Sequence, residues 1–227
     1  MWAPQVSAFA GWDVVTPSMP GFDGDPVRAA SMEAFATHIN AELDRIGIER
    51  AVIAGLSLGG YVAFAVLRQR PDRASALILA DTRETADNEQ GREGRLRMIG
   101  TLGQRGPSGV FEDMSPKLLG ATTHAERPEV VTQVKGLIES QTPAAIEGAI
   151  RAMLDRPDST PLLATIAVPT LIVVGEEDAL TPPADSERMH RAIRGARLER
   201  LPRAGHLSNL ETPDAFNAAV SKFLSML

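Results

Sequence analysis

Cysteine is absent from the 227-residue sequence, and aromatic residues make up only 4% of it. Without a thiol, the chain has no disulfide framework, no zinc-thiolate site, no cysteine nucleophile and no thiol redox chemistry. With so few aromatic rings, a binding pocket is expected to be lined mainly by aliphatic side chains. Whole classes of chemistry are therefore excluded before any motif is considered.

Long hydrophobic runs and an excess of basic residues are also missing. The longest apolar stretches, such as Ala51–Leu56 and Ala76–Ala80, are far shorter than the roughly 18 residues that a membrane-spanning helix needs. The first basic residue is Arg28, so the N-terminus lacks the charged region of a secretory signal. A net charge of -6 argues against nucleic acid and anionic membranes as partners. These features predict a cytoplasmic protein, and they leave a homo-oligomer open.

Four short apolar segments predict buried strands, and a fifth, more polar segment predicts an edge strand. The apolar segments are Asp13–Thr16, Arg50–Ala54, Ala76–Ala80 and Thr170–Gly175, and the polar one is Arg197–Leu201. Continuous apolar runs of this length are typical of a parallel sheet that is covered on both faces.

Helical periodicity separates these strands. The predicted helices are Ser31–Ile46, Leu58–Gln69, Ala184–Ile193 and Thr212–Leu224. Strand and helix alternate at the spacing of right-handed βαβ units. The expected fold class is therefore α/β, with a doubly wound and mostly parallel sheet.

Residues 83–160 interrupt the alternation and contain no convincing strand. Their glycines and prolines divide the segment into short helices, predicted at Glu93–Leu102, Gly109–Leu119, Pro128–Ser140 and Pro143–Leu154. The segment is too long for a loop. We expect a helical cap, inserted over the strand ends of a core formed by residues 1–82 and 161–227. The alternative is a helical layer that has no functional role.

The clearest motif is Gly55-Leu56-Ser57-Leu58-Gly59, between a predicted strand and a predicted helix. In this setting a G-x-S-x-G sequence forms a sharp turn that exposes the serine as a nucleophile. The turn also directs the backbone N–H of Leu58 towards an oxyanion. We expect Gly55 and Gly59 to leave room for the neighbouring chain. The alternative is a glycine-rich turn with a structural role only.

A serine nucleophile needs a base, and the sequence offers four histidines. His38 and His190 fall inside predicted helices, and His124 falls in the predicted cap. His206 lies in a loop between the last predicted strand and the last helix, where glycine and proline let the chain bend over the sheet. The position therefore favours His206 as the base.

The base needs an acid that orients it, and Asp178 is the first candidate. It follows the strand that ends at Gly175, and carboxylates at this end of a parallel strand point into the site crevice. Glu176 and Glu177 are alternatives on position alone, and Asp81 is a second choice after the preceding strand.

These features together resemble the α/β-hydrolase fold. The matching segments, in order, are Met1–Gln5, Thr16–Gly24, the serine turn, the loop of Asp178 and Ala204–His206. Within that superfamily the chain is most similar to small esterases and 3-oxoadipate enol-lactonase-like hydrolases. The resemblance implies a triad of Ser57, His206 and Asp178, a small-molecule ester or lactone substrate, and no cofactor. A metal site is not expected, because the four histidines show no close spacing to each other.

The chain departs from the family pattern at its beginning. The resemblance implies three strands before the segment Trp2–Pro4, the third of which ends beside a second oxyanion N–H donor. Residue 1 already lies after that point, so a strand between Asp13–Thr16 and Arg50–Ala54 would be missing. Buried unpaired backbone groups cost about 1–3 kcal/mol each. We therefore expect a truncated reading of a longer protein; the alternative is an unusual repair of the sheet.

The sequence thus predicts a serine hydrolase of carboxylic esters or lactones, with an N-terminally incomplete hydrolase fold. The loss of one oxyanion donor would lower its rate by about 10²–10³-fold. Cleavage of a carbon–carbon bond or cofactor-free peroxidation on the same triad are alternatives. A hydrolase-like binding protein without catalytic activity is the alternative from another class.

Overall fold

The computed structural model describes residues 1–9, 11–22 and 31–227. Its sheet consists of four parallel strands that lie side by side in the order in which they occur in the chain. They are β1 (Ala51–Leu56), β2 (Ala74–Ala80), β3 (Thr170–Gly175) and β4 (Arg197–Leu201). Four of the predicted strands are thereby confirmed, including the polar β4 at an edge of the described sheet.

The predicted strand at Asp13–Thr16 is wrong. In the described part of the chain these residues pair with no strand, and the side chains of Val14 and Val15 are 37% and 51% exposed. An apolar, β-branched run becomes a strand only where a neighbour accepts its backbone hydrogen bonds. Part of the segment Thr16–Gly24 that carried the family resemblance, namely Asp23 and Gly24, lies outside the described residues.

The two middle strands, β2 and β3, are buried on both faces. Leu77 and Leu79 belong to one hydrophobic cluster, whereas Ile78 belongs to another on the opposite face. β3 alternates in the same way, with Ile172 in the first cluster and Val173 in the second. Burial on both faces explains why these strands have continuous apolar sequences.

Helices cover both faces of the sheet. They are α1 (Ala3–Ala8), α2 (Met32–Arg45), α3 (Leu58–Gln69), α4 (Glu89–Leu118), α5 (Ala121–Glu126), α6 (Pro128–Glu139), α7 (Pro143–Leu154), α8 (Thr160–Leu163), α9 (Pro183–Ala192), α10 (Ser208–Glu211) and α11 (Pro213–Leu224). α3, α8 and α9 pack on one face, with α2 outside α3, and α10 and α11 pack on the other. This arrangement confirms the predicted doubly wound α/β fold.

Between β2 and β3 the only regular secondary structure in the described residues is helical, as the sequence predicts. The two helices predicted at Glu93–Leu102 and Gly109–Leu119 form one element, α4, which is broken at Gly106 where φ is 66°. α5 was not predicted. Within the described ranges, no helix is both long and apolar enough to cross a bilayer.

Candidate active site

Ser57 occupies the sharp turn between β1 and α3. Its φ of 52° and ψ of −113° lie in a region that non-glycine residues rarely adopt, so surrounding contacts have to hold it. The Ser57 N–H donates to the carbonyl oxygen of Ala80 at 2.9 Å. The Thr82 hydroxyl donates to the Ser57 carbonyl oxygen at 2.8 Å. The end of β2 therefore fixes the turn, and the Ser57 side chain stays partly exposed.

The glycines of this turn have unequal roles. A Cβ at Gly55 would lie 2.2 Å from the Gly59 carbonyl oxygen, and a Cβ at Gly60 would lie 2.4 Å from Thr82 Oγ1. A Cβ at Gly59 would meet no atom within 4 Å. The expectation that Gly59 makes room for the neighbouring chain is therefore wrong, because Gly60 has that role.

His206 lies between the serine and a carboxylate. Its Nε2 is 2.7 Å from Ser57 Oγ, and its Nδ1 is 2.8 Å from Asp178 Oδ2. An ionised carboxylate only accepts hydrogen bonds, so Nδ1 carries the proton and Nε2 accepts the proton of the Ser57 hydroxyl. The imidazole is 3% exposed, so the protein rather than bulk water supplies its partners.

Asp178 is held by its own loop. Oδ1 accepts the backbone N–H groups of Leu180 and Thr181 at 2.8 and 2.9 Å, and the Thr181 hydroxyl donates to Oδ2 at 2.7 Å. Burial alone would raise the pKa of Asp178, but the hydrogen bond and charge of His206, with the bonds from Thr181, lower it below its ordinary value. The carboxylate is therefore ionised at neutral pH.

Thr181 was missed in the sequence. Its Oγ1 also lies 3.1 Å from His206 Nδ1, so it contacts both the acid and the base. The signal was its position three residues after Asp178, a spacing at which an aspartate binds the backbone and side chain of a following residue.

The other carboxylates of the acid loop face elsewhere. Glu177 accepts the backbone N–H and the hydroxyl of Thr122, and Glu176 pairs with Arg200 at 3.5 Å near the surface. Asp81, the second choice, is fully buried nearby, but it accepts hydrogen bonds from Gly175 and Ser208. Of the four carboxylates considered from the sequence, Asp178 is the one placed against the imidazole.

The remaining histidines lie away from this constellation. His38, in α2, has its Nε2 3.0 Å from the Ser18 carbonyl oxygen. His124, in α5, has its Nε2 2.9 Å from the Ser115 carbonyl oxygen, and His190 is exposed on α9.

The backbone N–H of Leu58 belongs to the first turn of α3. N–H groups in the first turn of a helix have no acceptor within the helix, and the helix dipole adds partial positive charge there. The predicted oxyanion contact is thus an N–H beside Ser57 at a helix N-terminus, which suits developing negative charge.

Three backbone segments meet behind the triad. A Cβ at Gly175 would lie 2.1 Å from the Gly205 carbonyl oxygen, and a Cβ at Gly205 would lie 2.3 Å from the backbone nitrogen of Gly120. Neither position has room for a side chain, so glycines let the acid loop, the histidine loop and the start of α5 pack closely.

The three side chains place a hydroxyl nucleophile beside an oriented proton acceptor. A hydroxyl donates to an imidazole, which in turn donates to an ionised carboxylate. Such a chain removes a proton from the hydroxyl as it attacks and stabilises the resulting imidazolium.

Comparisons with known proteins point to one family. A family model described as the alpha/beta hydrolase fold matches residues 1–213. The pimeloyl-(acyl-carrier protein) methyl ester esterase of Neisseria meningitidis serogroup B / serotype 15 (strain H44/76) is 32% identical over 224 residues, covering 95% of this chain and 83% of that protein.

Solved structures agree with the sequence relatives. A thermophilic esterase from Thermogutta terrifontis superposes with a TM-score of 0.88 at 37% identity, covering 92% of this chain and 78% of that one. The enol-lactonase from Burkholderia xenovorans LB400 has a TM-score of 0.90 at 25% identity, covering 99% of this chain and 85% of that one.

Proposed function

The chain belongs to the α/β-hydrolase fold family, and from this premise we propose that it is a serine hydrolase of carboxylic esters or lactones. The observation that carries the proposal is the hydrogen-bonded chain from Ser57 through His206 to Asp178. Relatives named as an esterase and an enol-lactonase support hydrolysis of such substrates.

In the first half of the proposed reaction, Ser57 Oγ attacks the carbonyl carbon while His206 Nε2 takes its proton. The carbonyl oxygen becomes an oxyanion, and the N–H of Leu58 stabilises it. Asp178 accepts a hydrogen bond from Nδ1–H, which keeps its proton, and stabilises the imidazolium. Collapse of the tetrahedral intermediate breaks the bond to the alkoxy group, which leaves with the proton from Nε2.

In the second half, water releases the acyl group from Ser57. His206 Nε2 removes a proton from the water, whose oxygen attacks the acyl carbon. The second tetrahedral intermediate expels Ser57 Oγ, which regains its proton from Nε2, and the carboxylic acid is released. A lactone follows the same steps, except that its alcohol and acid remain one molecule.

We propose that residues 83–160 form the cap that selects the substrate, with the core in residues 1–82 and 161–227. Two buried or partly buried carboxylates support this placement, because they bind the start of α5. Glu177, beside Asp178, accepts the Thr122 N–H at 2.8 Å. Glu211, at the end of α10, accepts the Gly120 N–H at 2.8 Å. α5 is thus attached to the loops of both the acid and the base.

The test is hydrolysis of p-nitrophenyl acetate and butyrate, together with labelling by a fluorophosphonate probe. We expect turnover and labelling in the wild-type chain, and the loss of both in Ser57→Ala. Ser7→Ala is the matched control, because Ser7 is an exposed serine of α1 and its loss should change neither.

The opposite outcome is also informative. A folded wild-type chain that neither turns over these esters nor takes up the probe would contradict the proposal and favour a binding protein. Where turnover is found, a pH-stat comparison of an aliphatic ester with a γ-lactone separates the two substrate classes, because both release acid on hydrolysis.

A further inference from the structure

Asp81 is a buried carboxylate that the proposed mechanism does not use. It follows the last residue of β2, its side chain is 0% exposed, and its φ is 44°. Aspartate and asparagine adopt this left-handed conformation more readily than most residues. A carboxyl group that is fully buried requires hydrogen-bond partners.

Those partners belong to the two loops that carry Asp178 and His206. Asp81 Oδ1 accepts the N–H of Gly175 at 2.9 Å, and Gly175 precedes Asp178 by three residues. Asp81 Oδ2 accepts the hydroxyl of Ser208 at 2.5 Å and its N–H at 3.3 Å, and Ser208 follows His206 by two residues. One carboxylate therefore joins the end of β2 to the acid loop and to the histidine loop.

We propose that Asp81 is a positioning residue for the triad, which holds the loops of Asp178 and His206 together. The effect on catalysis rests on the proposed function, whereas the placement of the two loops does not.

The hydrogen bonds of Asp81, rather than a fixed negative charge, give it this role. Burial raises its pKa to about 7; the charge of His206 works against this rise, and the charge of Asp178 adds to it. The carboxyl group is therefore largely protonated below pH 7, and its bonds to Gly175 and Ser208 are what join the two loops.

The decisive variant is Asp81→Asn, which keeps the shape of the side chain and tolerates the same backbone conformation. We expect kcat for p-nitrophenyl butyrate to fall by about 10-fold or more, because the two loops lose a shared anchor. KM should change by less than about twofold, because the alignment of the triad is lost and not the binding of the substrate.

Asn209→Ala is the matched control. Asn209 is a fully buried neighbour of Ser208 in α10, and its side chain bonds Gln5 rather than Asp81. This variant should be less stable but should keep the wild-type kcat. An equal fall of kcat in Asp81→Asn and Asn209→Ala would reduce Asp81 to a structural group and overturn the proposal.

A readout that does not need turnover is the NMR resonance of the His206 Nδ1 proton, which lies in the hydrogen bond to Asp178 and is assigned by its disappearance in His206→Gln. The resonance should move or broaden in Asp81→Asn and stay unchanged in Asn209→Ala; an unchanged resonance in Asp81→Asn overturns the proposal. A moved resonance in a chain that hydrolyses no ester would retain the inference and refute the proposed function. If Asp81→Asn does not fold, Ser208→Ala, which removes one of the two anchors, should change the resonance by less; no change would again overturn the proposal.

Discussion

The backbone is fixed in different ways in two regions of the molecule. One is formed by the carboxyl ends of β2 and β3, and the other is the stretch before β1. At the strand ends, the buried carboxyl groups of Asp81 and Asp178 accept backbone N–H groups from a distant loop and from their own loop. Before β1, by contrast, Val14 and Val15 are exposed although their sequence is apolar and β-branched. The difference teaches that buried polar groups with defined partners position the site, whereas apolar character alone does not determine local structure.

The contrast has an energetic reason. A buried oxygen or N–H that loses its partner costs about 1–3 kcal/mol, which is a large part of a protein's stability of about 5–15 kcal/mol. An exposed apolar side chain has little burial to lose. Substitutions at the strand ends should therefore have large effects on activity or stability, and substitutions of the exposed residues before β1 should have small ones.

The largest effect is expected at the base. In His206→Gln the side chain can no longer take the Ser57 proton, so kcat for p-nitrophenyl butyrate should fall by about 10⁵-fold or more. His190→Gln is the control, because His190 is an exposed histidine on α9. Equal activities in the two variants would remove His206 from the mechanism, and the measurement is initial-rate kinetics on folded protein.

A smaller loss is expected at the acid. Asp178→Asn should lower kcat by about 10³–10⁴-fold, because an amide does not stabilise the imidazolium and can favour the wrong tautomer. Glu176→Gln, two residues earlier and partly exposed, should leave kcat nearly unchanged. If Glu176→Gln had the larger effect, the assignment of the acid would be wrong.

The hydrogen-bonded Asp178 carboxylate also predicts a pH dependence of the free energy of unfolding. The pKa of Asp178 is lowered in the folded chain, so its ionised form stabilises the fold. That contribution is complete above the ordinary aspartate pKa of about 3.9 and is lost as pH falls through the folded value. The Tm difference between wild type and Asp178→Asn should accordingly shrink in acid, which thermal unfolding at several pH values would show.

The sequence predicted those features of the site that depend on residues close together in the chain. The strand, turn and helix around Ser57 follow from a few adjacent residues, and α3 has the predicted bounds. His206 and Asp178 were found by their places after predicted strands, and the structure brings both to Ser57. Their catalytic roles stay predictions that the variants above are designed to test.

Features that depend on distant residues were not predicted. Nothing near Asp81 in the sequence indicates that it binds Gly175 and Ser208, because the contact joins the ends of β2 and β3 to the start of α10. The interpretation of Gly59 failed for a related reason. A glycine pattern reveals a turn, but which glycine lacks space depends on atoms that only the folded chain brings close.

Alanine substitutions of Gly55 and Gly59 test a stability effect of intermediate size. Gly55→Ala should destabilise the chain by about 1–3 kcal/mol, because the new Cβ would overlap the Gly59 carbonyl oxygen. Gly59→Ala should be neutral or stabilising, since its Cβ meets no atom within 4 Å and alanine is the better helix former in α3. Denaturant unfolding measures both, and equal destabilisation would contradict the unequal roles.

The smallest effects are expected before β1, where two positions sharpen the comparison. Gln5 is buried in α1, and its amide nitrogen donates to the Asn209 carbonyl oxygen and to Asn217 Oδ1, both at 3.0 Å. Gln5→Ala should cost about 1–2 kcal/mol, because a buried partner on α10 and a partly buried one on α11 lose their bonds. Val15→Ser should change the free energy of unfolding by less than about 0.5 kcal/mol, as is usual for exposed positions.

Urea unfolding of both variants decides whether polar partners or apolar residues fix this stretch. The comparison predicts a clear loss in Gln5→Ala and almost none in Val15→Ser, although valine is the more hydrophobic residue. The reverse order would mean that Val15 is covered in solution by another surface, despite being 51% exposed in the structure. In that case apolar burial would matter before β1 as much as it does in β2 and β3, and the contrast with the strand ends would not hold.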